Sequence, residues 1–291
     1  MSVLLLLFFV CVRTAGRVVD SLPEGGVVVG ITSFGEGIYV LRWKGRGEIE
    51  VYDVDTCQLQ RCLAVPFSRC YTDMTSCGLY RCIYISDAIA ESLHKVDLQG
   101  QAVTWAIGDE PGGLSVNRAH NVLVTCLRIP RIQEFGSNGD LMREIMLVDT
   151  AINPWHAIQL TSGEFVLSHG EAEDPIRRVC KLSSDGGHII HSHDGAEEGG
   201  SRPDTADRYY RIPRHLAVNS NEFVFVADIP SRRVTLLSPS LRYLRDVVTL
   251  QQLKWFPYRM FLDVRRRRLY VTDNEFENGR YKSGRVVVFS I

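Results

Sequence analysis

Short apolar runs of β-forming residues recur six times along the chain, and each run ends at an equivalent position. The runs are IYVLR, IYISD, VLVTC, FVLSH, VFVAD and LYVTD, which end at Arg42, Asp87, Cys126, His169, Asp228 and Asp273. A second anchor follows each run, at Tyr52-Asp53, Val96-Asp97, Phe135-Gly136, Leu182-Ser183, Leu237-Ser238 and Phe289-Ser290. A β-rich repeat of roughly 40 to 60 residues is typical of a propeller with four-stranded blades.

Each repeat divides into four short strands, which we label a to d from the propeller axis outward. In the fifth repeat they are residues 215–218, 223–228, 233–237 and 243–250. In the third repeat, Asn138-Gly139 lies between two such strands, and an Asn-Gly pair in this place is a strong hairpin signal. We therefore predict an all-β fold, a six-bladed β-propeller of four-stranded antiparallel blades.

The sixth repeat lacks its strand d. Its strand c, residues 285–289, is followed by only two more residues. Residues 16–20 resemble residues 141–145, the strand d of the third repeat. We predict that this N-terminal strand completes the last blade, because closing the ring removes the open strand edges that would otherwise aggregate.

The segments VFVADIPSRRVTLLSPS and LYVTDNEFENGRYKSGRVVVFS resemble NHL repeats. The resemblance covers residues 17–291 and is strongest in repeats two, three, five and six. Repeat one departs from the pattern with Arg42 in place of the usual Asp, and repeats three and four with Cys126 and His169. The resemblance implies a six-bladed propeller. It implies no single function, because NHL proteins include protein-binding and RNA-binding modules, extracellular receptor parts and peptidyl-amidating lyases.

The first 16 residues have the features of a targeting segment. The apolar run from Val3 to Val12 is shorter than the about 20 residues that span a bilayer, and it suits the apolar region of a signal peptide cleaved after Gly16. Met1-Ser2 carries no positive side chain, so a plain N-terminal extension is the alternative. We interpret residues 1–16 as this segment and 17–291 as one NHL-type propeller domain. We expect a secreted protein, with a cytoplasmic one as the alternative.

Charge and cysteines restrict the function less than the repeats restrict the fold. The net charge of −1 disfavours a nucleic-acid partner, which usually meets a basic face. The cysteines at 57, 62, 70, 77 and 82 lack the CxxC pairs of a structural zinc site. We favour free thiols in the core over disulfides, with Cys62, Cys82 and Cys126 in strands. We expect a monomer without a membrane span.

One face of the propeller collects the long connections. In a four-stranded meander the b–c and d–a connections share a face, and residues 170–176, 194–212 and 274–284 all belong to it. Long loops on a rigid scaffold often carry binding sites. Strand a begins after a proline in four repeats, and its third position should line the mouth of the axial channel. Across the blades this position holds Gly30, Asp73, Gly113, His156, His215 and Arg259.

The polar residues of this series permit two interpretations. His156 and His215 could hold a zinc or calcium ion with Asp73 as a third ligand. The resemblance to the amidating lyases, which place metal-binding histidines around such a channel, extends to these two histidines alone. The other interpretation is that they hydrogen-bond neighbouring blades. The chain contains no Gly-x-Ser-x-Gly or His-Glu-x-x-His motif.

We favour a non-enzymatic binding or scaffold module without a cofactor. It would engage a protein or peptide through the long-loop face, with the contact residues Trp155, His156, Arg214, His215, Tyr258 and Arg259. The alternative is a metal-dependent lyase or hydrolase at the channel mouth, with His156 and His215 as ligands. RNA binding is a third, disfavoured interpretation, and its best hint is the basic and aromatic segment 208–214.

Overall fold

The computed structural model describes residues 16–66, 68, 70–148, 153–170, 178–194, 212–277 and 280–291. Within these ranges 24 strands form six sheets of four antiparallel strands, which confirms the predicted six-bladed propeller. No helix of the described ranges is long and apolar enough to cross a membrane. The predicted signal segment up to residue 15 and most of the loops 170–176 and 194–212 lie outside the described residues.

The blades follow one another along the chain. The N-terminal strand β1 is Arg17–Gly25. Blade one contains β2 Val27–Phe34, β3 Gly37–Trp43, β4 Gly47–Asp53 and β5 Leu59–Ala64. Blade two contains β6 Tyr71–Cys77, β7 Cys82–Asp87, β8 Ser92–Asp97 and β9 Ala102–Ala106. Blade three contains β10 Pro111–Val116, β11 Val122–Cys126, β12 Arg131–Phe135 and β13 Leu141–Met146.

The second half of the ring repeats this arrangement. Blade four contains β14 Pro154–Gln159, β15 Phe165–His169, β16 Arg178–Leu182 and β17 Ile189–His193. Blade five contains β18 Pro213–Val218, β19 Val224–Asp228, β20 Arg233–Leu237 and β21 Tyr243–Val248. Blade six contains β22 Phe256–Asp263, β23 Arg268–Glu277 and β24 Arg280–Ser290.

Strand β1 completes blade six, as the sequence predicts. It pairs antiparallel with β24, with Arg17 opposite Ser290 and Leu22 opposite Val286. The strand continues to Gly25, five residues beyond the predicted end. Leu22 is buried in a cluster with side chains of blades one and six, so the N-terminal strand contributes to the core as well as to the sheet.

The hydrophobic core is divided among the contacts between neighbouring blades. Six clusters of buried apolar side chains join blades one to two, two to three, three to four, four to five, five to six and six to one. The outer strands β5, β9, β13 and β17 are mostly exposed. Because each cluster needs two blades, the ring gains its full apolar burial only when it closes.

The residues that end the apolar runs tie adjacent segments together. In blade six, the Asp273 carboxylate accepts the Trp255 N–H at 2.6 Å and lies 2.9 Å from Nε of Arg285. Blade one reverses these charges, because Arg42 pairs with Glu50 at 2.5 Å and donates to the Gly284 carbonyl at 2.8 Å. The departure of Arg42 from the repeat pattern is therefore a change of polarity within the same structural role.

Two details of the sequence interpretation were wrong. Residues 274–284 were expected to be a loop, but β23 and β24 continue their ladder beyond the blade, with Phe276 opposite Tyr281 and Glu277 opposite Arg280. Cross-strand aromatic pairs of this kind stabilise a hairpin. Cys62 is exposed rather than buried, because β5 is an outer strand. The seven described cysteines are free thiols, as favoured.

Candidate functional site

A β-bulge or register irregularity occurs near the start of all six inner strands. The register shifts fall between Val28 and Gly30, Tyr71 and Asp73, Pro111 and Leu114, Pro154 and His156, Pro213 and His215, and Pro257 and Met260. Bulges redirect side chains and are common beside functional sites. Here they lie at the positions that supply the polar side chains of the axial channel.

The centre of the channel is the fully buried carboxylate of Asp73. Its Oδ1 lies 2.9 Å from Nε of Arg259, and its Oδ2 accepts the Leu114 N–H at 2.8 Å. Nε2 of His215 lies 3.4 Å from the same Oδ2. Burial alone would raise the pKa of Asp73, but Arg259 and His215 outweigh it and hold that pKa well below its usual range. Asp73 is therefore an ionised group shared by blades two, three, five and six.

His156 is held in one tautomer by two backbone groups. Its Nε2 lies 2.9 Å from the Leu114 carbonyl oxygen, and its Nδ1 accepts the Leu216 N–H at 3.2 Å. The proton is therefore on Nε2, and the ring is neutral. Burial, with a smaller contribution from His215, lowers the pKa of His156 to about 3. Both ring nitrogens are used to join blade four to its two neighbours.

His215 stacks on His156 but is less completely paired. The two ring centroids are 4.0 Å apart, and the planes differ by 15°. His215 has Asp73 beside Nε2, whereas its buried Nδ1 has no hydrogen-bond partner among the described residues. Burial lowers the pKa of His215. The carboxylate thus orients a neutral imidazole whose second nitrogen is unsatisfied.

Two glycines of the channel series allow neighbouring blades to approach closely. A Cβ at Gly113 would lie 2.5 Å from Cδ2 of His156, so the imidazole occupies the space that a side chain of blade three would fill. A Cβ at Gly30 would lie 2.4 Å from Cβ of Met74. Arg259 reaches past blade one and donates to the Thr72 carbonyl of blade two. The glycines are therefore required by packing and are not vacant ligand positions.

Asp73, His156 and His215 form the group that best resembles a metal site. Their ligand atoms lie within 4.8 Å of one another, a grouping that could hold a metal ion. In the arrangement described, however, His156 has no free lone pair, and Arg259 already neutralises Asp73. A zinc ion needs unprotonated nitrogen ligands, and a nearby guanidinium repels it. The donor set therefore does not fit a metal ion without rearrangement.

A second layer of side chains lies outward of this buried network. It comes from the residue that follows the proline of the inner strand in blades four, five and six, which is Trp155, Arg214 and Tyr258. The Arg214 guanidinium carbon lies 3.3 Å from the Trp155 ring centroid and 5.3 Å from that of Tyr258. Nη2 of Arg214 donates to the Tyr258 hydroxyl at 3.3 Å. Arg214 is thus enclosed between two aromatic faces.

The aromatic contacts continue from Tyr258 onto the extended hairpin of blade six. Tyr258 and Tyr281 have ring centroids 5.0 Å apart, and Tyr281 and Phe276 have theirs 4.9 Å apart. Phe276 is 47% exposed. We call the five residues Trp155, Arg214, Tyr258, Tyr281 and Phe276 the entrance ridge. It leads from the channel to the outer end of the β23–β24 ladder.

The structure separates the sequence-predicted contact residues into two layers. His156, His215 and Arg259 are buried in the channel network, below the mouth where they were predicted. Trp155, Arg214 and Tyr258 are half-buried in the entrance ridge. Sequence reasoning missed Tyr281 and Phe276, although aromatic residues on both sides of Asn278-Gly279 were a hairpin signal. A role of either layer in binding stays a prediction.

Of the basic segment 208–214, residues 208–211 lie outside the described residues.

The buried histidines predict that acid destabilises the protein. Their folded pKa values lie below the reference of 6.5, so an unfolded chain binds protons that the folded one excludes as pH falls below 6.5. We expect stability to be constant with respect to these groups above pH 6.5. Below it, each histidine should remove up to about 1.4 kcal/mol per pH unit.

Urea unfolding between pH 7 and pH 4.5 measures this slope above the range in which Asp73 contributes. His156→Gln should flatten it, whereas His191→Gln, a change at an exposed position of β17, should leave it unaltered. A slope that is the same in wild type and His156→Gln would contradict the prediction.

Neither a protein-family model nor a curated protein sequence matches the chain. Solved structures match its fold along most of its length. Virginiamycin B lyase from Staphylococcus aureus has a TM-score of 0.61 at 11% identity, covering 92% of this chain and 98% of that one. Hydrazine synthase of Kuenenia stuttgartiensis has 0.62 at 13%, covering 93% and 97%.

A chain of a nidogen/laminin complex has a TM-score of 0.63 at 12% identity, covering 81% of this chain and 84% of that one. Identities this low establish a shared fold and no shared activity. The chain is therefore a six-bladed β-propeller whose relatives by fold have diverse roles.

Proposed function

We propose that the chain is a non-enzymatic binding module of the NHL type that engages a protein or peptide through the entrance ridge. The observation that carries the proposal is the continuous series of cation–π and tilted aromatic contacts from Trp155 to the half-exposed Phe276. Trp, Tyr and Arg are the residues most enriched at energetic centres of interfaces. The ridge combines all three with a rigid base.

The base of the ridge is rigid because its inner members are fixed by the channel. Trp155 donates its ring N–H to the Gly170 carbonyl at 3.1 Å, and the Arg214 carbonyl accepts the Ser168 hydroxyl at 3.5 Å. Arg259 lies 4.2 Å from the Tyr258 ring centroid. Ordered side chains lose little entropy when a partner binds. The arrangement therefore favours recognition by a preformed surface.

Two further observations support binding over catalysis. Both ring nitrogens of His156 are used by backbone contacts, and the Asp73 carboxylate forms an ion pair with Arg259. A propeller of the same fold occurs in the nidogen/laminin complex, which is an assembly of proteins. From that complex we transfer to this chain only the general role of binding a protein partner.

The second candidate function is a metal-dependent lyase or hydrolase in the channel. It is favoured by the proximity of Asp73, His156 and His215, and by the unsatisfied Nδ1 of His215. Virginiamycin B lyase is a lyase on the same fold. It ranks second because a bound cation would have to displace both the Leu216 contact of His156 and the Arg259 contact of Asp73.

Peptide binding to the ridge can be measured directly. We expect a random peptide display library selected on the immobilised protein to yield binders that depend on the hairpin end of the ridge. In the double variant Phe276→Ala, Tyr281→Ala, affinity for an enriched synthetic peptide should fall at least about tenfold, because each aromatic anchor of an interface contributes about 1 kcal/mol or more. Titration calorimetry gives both dissociation constants.

The matched control is Leu79→Ala, Tyr80→Ala, which removes an exposed apolar and an exposed aromatic side chain from the a–b turn of blade two on the opposite face. It should bind like wild type. Selection of no peptide, or equal losses in both double variants, would refute the proposal. Stoichiometric zinc or calcium that is lost in His156→Ala, His215→Ala would instead favour the enzyme.

A further inference from the structure

Arg214 differs from the other arginine of the channel in its charge balance. Arg259 has the Asp73 carboxylate at 2.9 Å. No carboxylate of the described residues lies within ion-pair distance of Arg214, whose contacts are the rings of Trp155 and Tyr258 and the Tyr258 hydroxyl. Its Nε is buried and has no hydrogen-bond partner among the described residues. Within the described part of the chain, the positive charge of Arg214 at the channel entrance therefore has no anionic partner.

The surroundings of Arg214 concentrate this charge. Its side chain is half-buried, with the Trp155 ring 3.3 Å and the Tyr258 ring 5.3 Å from the guanidinium carbon, so the rings replace part of its hydration shell. A weakly hydrated cation interacts more strongly with an added anion than an exposed cation does. Tyr258 responds to the same field. Burial would raise its pKa, but Arg214 and Arg259 outweigh burial and lower it. The direction of the Tyr258 pKa shift thus follows from the positive charges of the two guanidinium groups beside it.

The geometry also restricts what the anion can be. Trp155 lies over the guanidinium, Nη2 is directed to Tyr258 and Nε is buried, so an incoming group must reach the guanidinium at Nη1. The guanidinium fork matches a planar carboxylate. The described residues leave one unit of positive charge without an anionic partner here, which suits a monoanion better than a doubly charged phosphate.

We propose that Arg214 is the subsite for a carboxylate of the bound peptide, an Asp or Glu side chain, while the aromatic part of the entrance ridge holds the adjoining residues. This inference rests on the proposed function, because it names the chemistry of the partner at the same ridge. It makes Arg214 a specificity residue, and the aromatic rings supply affinity that does not depend on charge.

The test uses synthetic peptide arrays that are identical except for Asp, Asn or phosphoserine at one central position. On the wild-type protein we expect the Asp peptides to bind at least about tenfold more tightly than their Asn counterparts. With Arg214→Gln the Asp-to-Asn ratio should fall to near one, while residual binding through Tyr281 and Phe276 persists. Arg214→Lys keeps the charge without the fork and should give an intermediate ratio.

Arg118→Gln is the charge-matched control, because Arg118 is exposed in the a–b turn of blade three on the opposite face. It should leave the ratio unchanged, and thermal unfolding checks that each variant is folded. A ratio near one on wild type, a ratio that survives Arg214→Gln, or a preference for phosphoserine would overturn the carboxylate subsite. In those cases ridge-dependent binding would still stand, whereas binding of no peptide would overturn the proposed function as well.

Discussion

Replacement of Arg259 by methionine is expected to lower the free energy of unfolding by about 3–5 kcal/mol, because it leaves the Asp73 carboxylate buried without its cation. Both side chains are almost completely buried, and their atoms are 2.9 Å apart. The variant also loses the bond from Arg259 to the Thr72 carbonyl, which joins blade six to blade two. An unpaired buried charge is among the most destabilising changes that a fold can undergo.

The measurement is urea unfolding followed by tryptophan fluorescence at pH 7. The double variant Arg259→Met, Asp73→Asn should recover much of the loss, because it removes both charges and leaves an amide oxygen to accept the Leu114 N–H. Lys254→Met, which breaks an exposed ion pair with Glu24, should cost no more than about 1 kcal/mol. Equal losses from Arg259→Met and Lys254→Met would show that the buried pair is not structurally important.

Removal of residues 16–25 is expected to have the second large effect, opening the ring at blade six. The deletion exposes the paired edge of β24 and takes Leu22 out of the cluster that joins blades six and one. Burial of one leucine is worth about 1.5–3 kcal/mol, and each lost backbone bond costs about 1 kcal/mol more. We expect a total loss of at least about 5 kcal/mol, comparable with the whole stability of many domains.

Thermal unfolding and light scattering measure the result, and the uncovered strand edge should cause aggregation. A circular permutant provides the control. Because Arg17 lies opposite Ser290, residues 16–25 can be moved behind Ile291 through a short turn, so that β1 follows β24 as an ordinary hairpin. The permutant should regain the lost stability. Wild-type stability of the deletion protein, or failure of the permutant to recover, would contradict the assigned role of β1.

Mutations in the buried network and mutations in the entrance ridge should have different consequences. Substitutions in the network, such as those of Asp73 or His156, should mainly lower the stability of the fold, because these groups join four blades through backbone contacts. Substitutions at the hairpin end of the ridge remove half-exposed rings and should change binding with little effect on folding. Stability and affinity measured on the same variants therefore separate the two layers.

The sequence by itself determined the architecture of this protein. Strand signals are local, because each apolar run and each turn consists of consecutive residues. Six repetitions of this pattern determine the number of blades. The missing strand d of the last repeat predicted closure by β1, which the pairing of Arg17 with Ser290 confirms. Position within the repeat also predicted that His156, His215, Arg259 and Asp73 would approach one another, and they do.

Only the tertiary structure decided which of these residues bond to one another and which face outward. Arg259 reaches Asp73 across blade one, and His156 lies over blade three because Gly113 has no side chain. Such contacts join residues far apart in the chain and depend on bulges that shift a strand by a single residue. The entrance ridge likewise depends on the extended hairpin of blade six, where tilted ring contacts, which no strand period predicts, join Phe276 and Tyr281 to Tyr258.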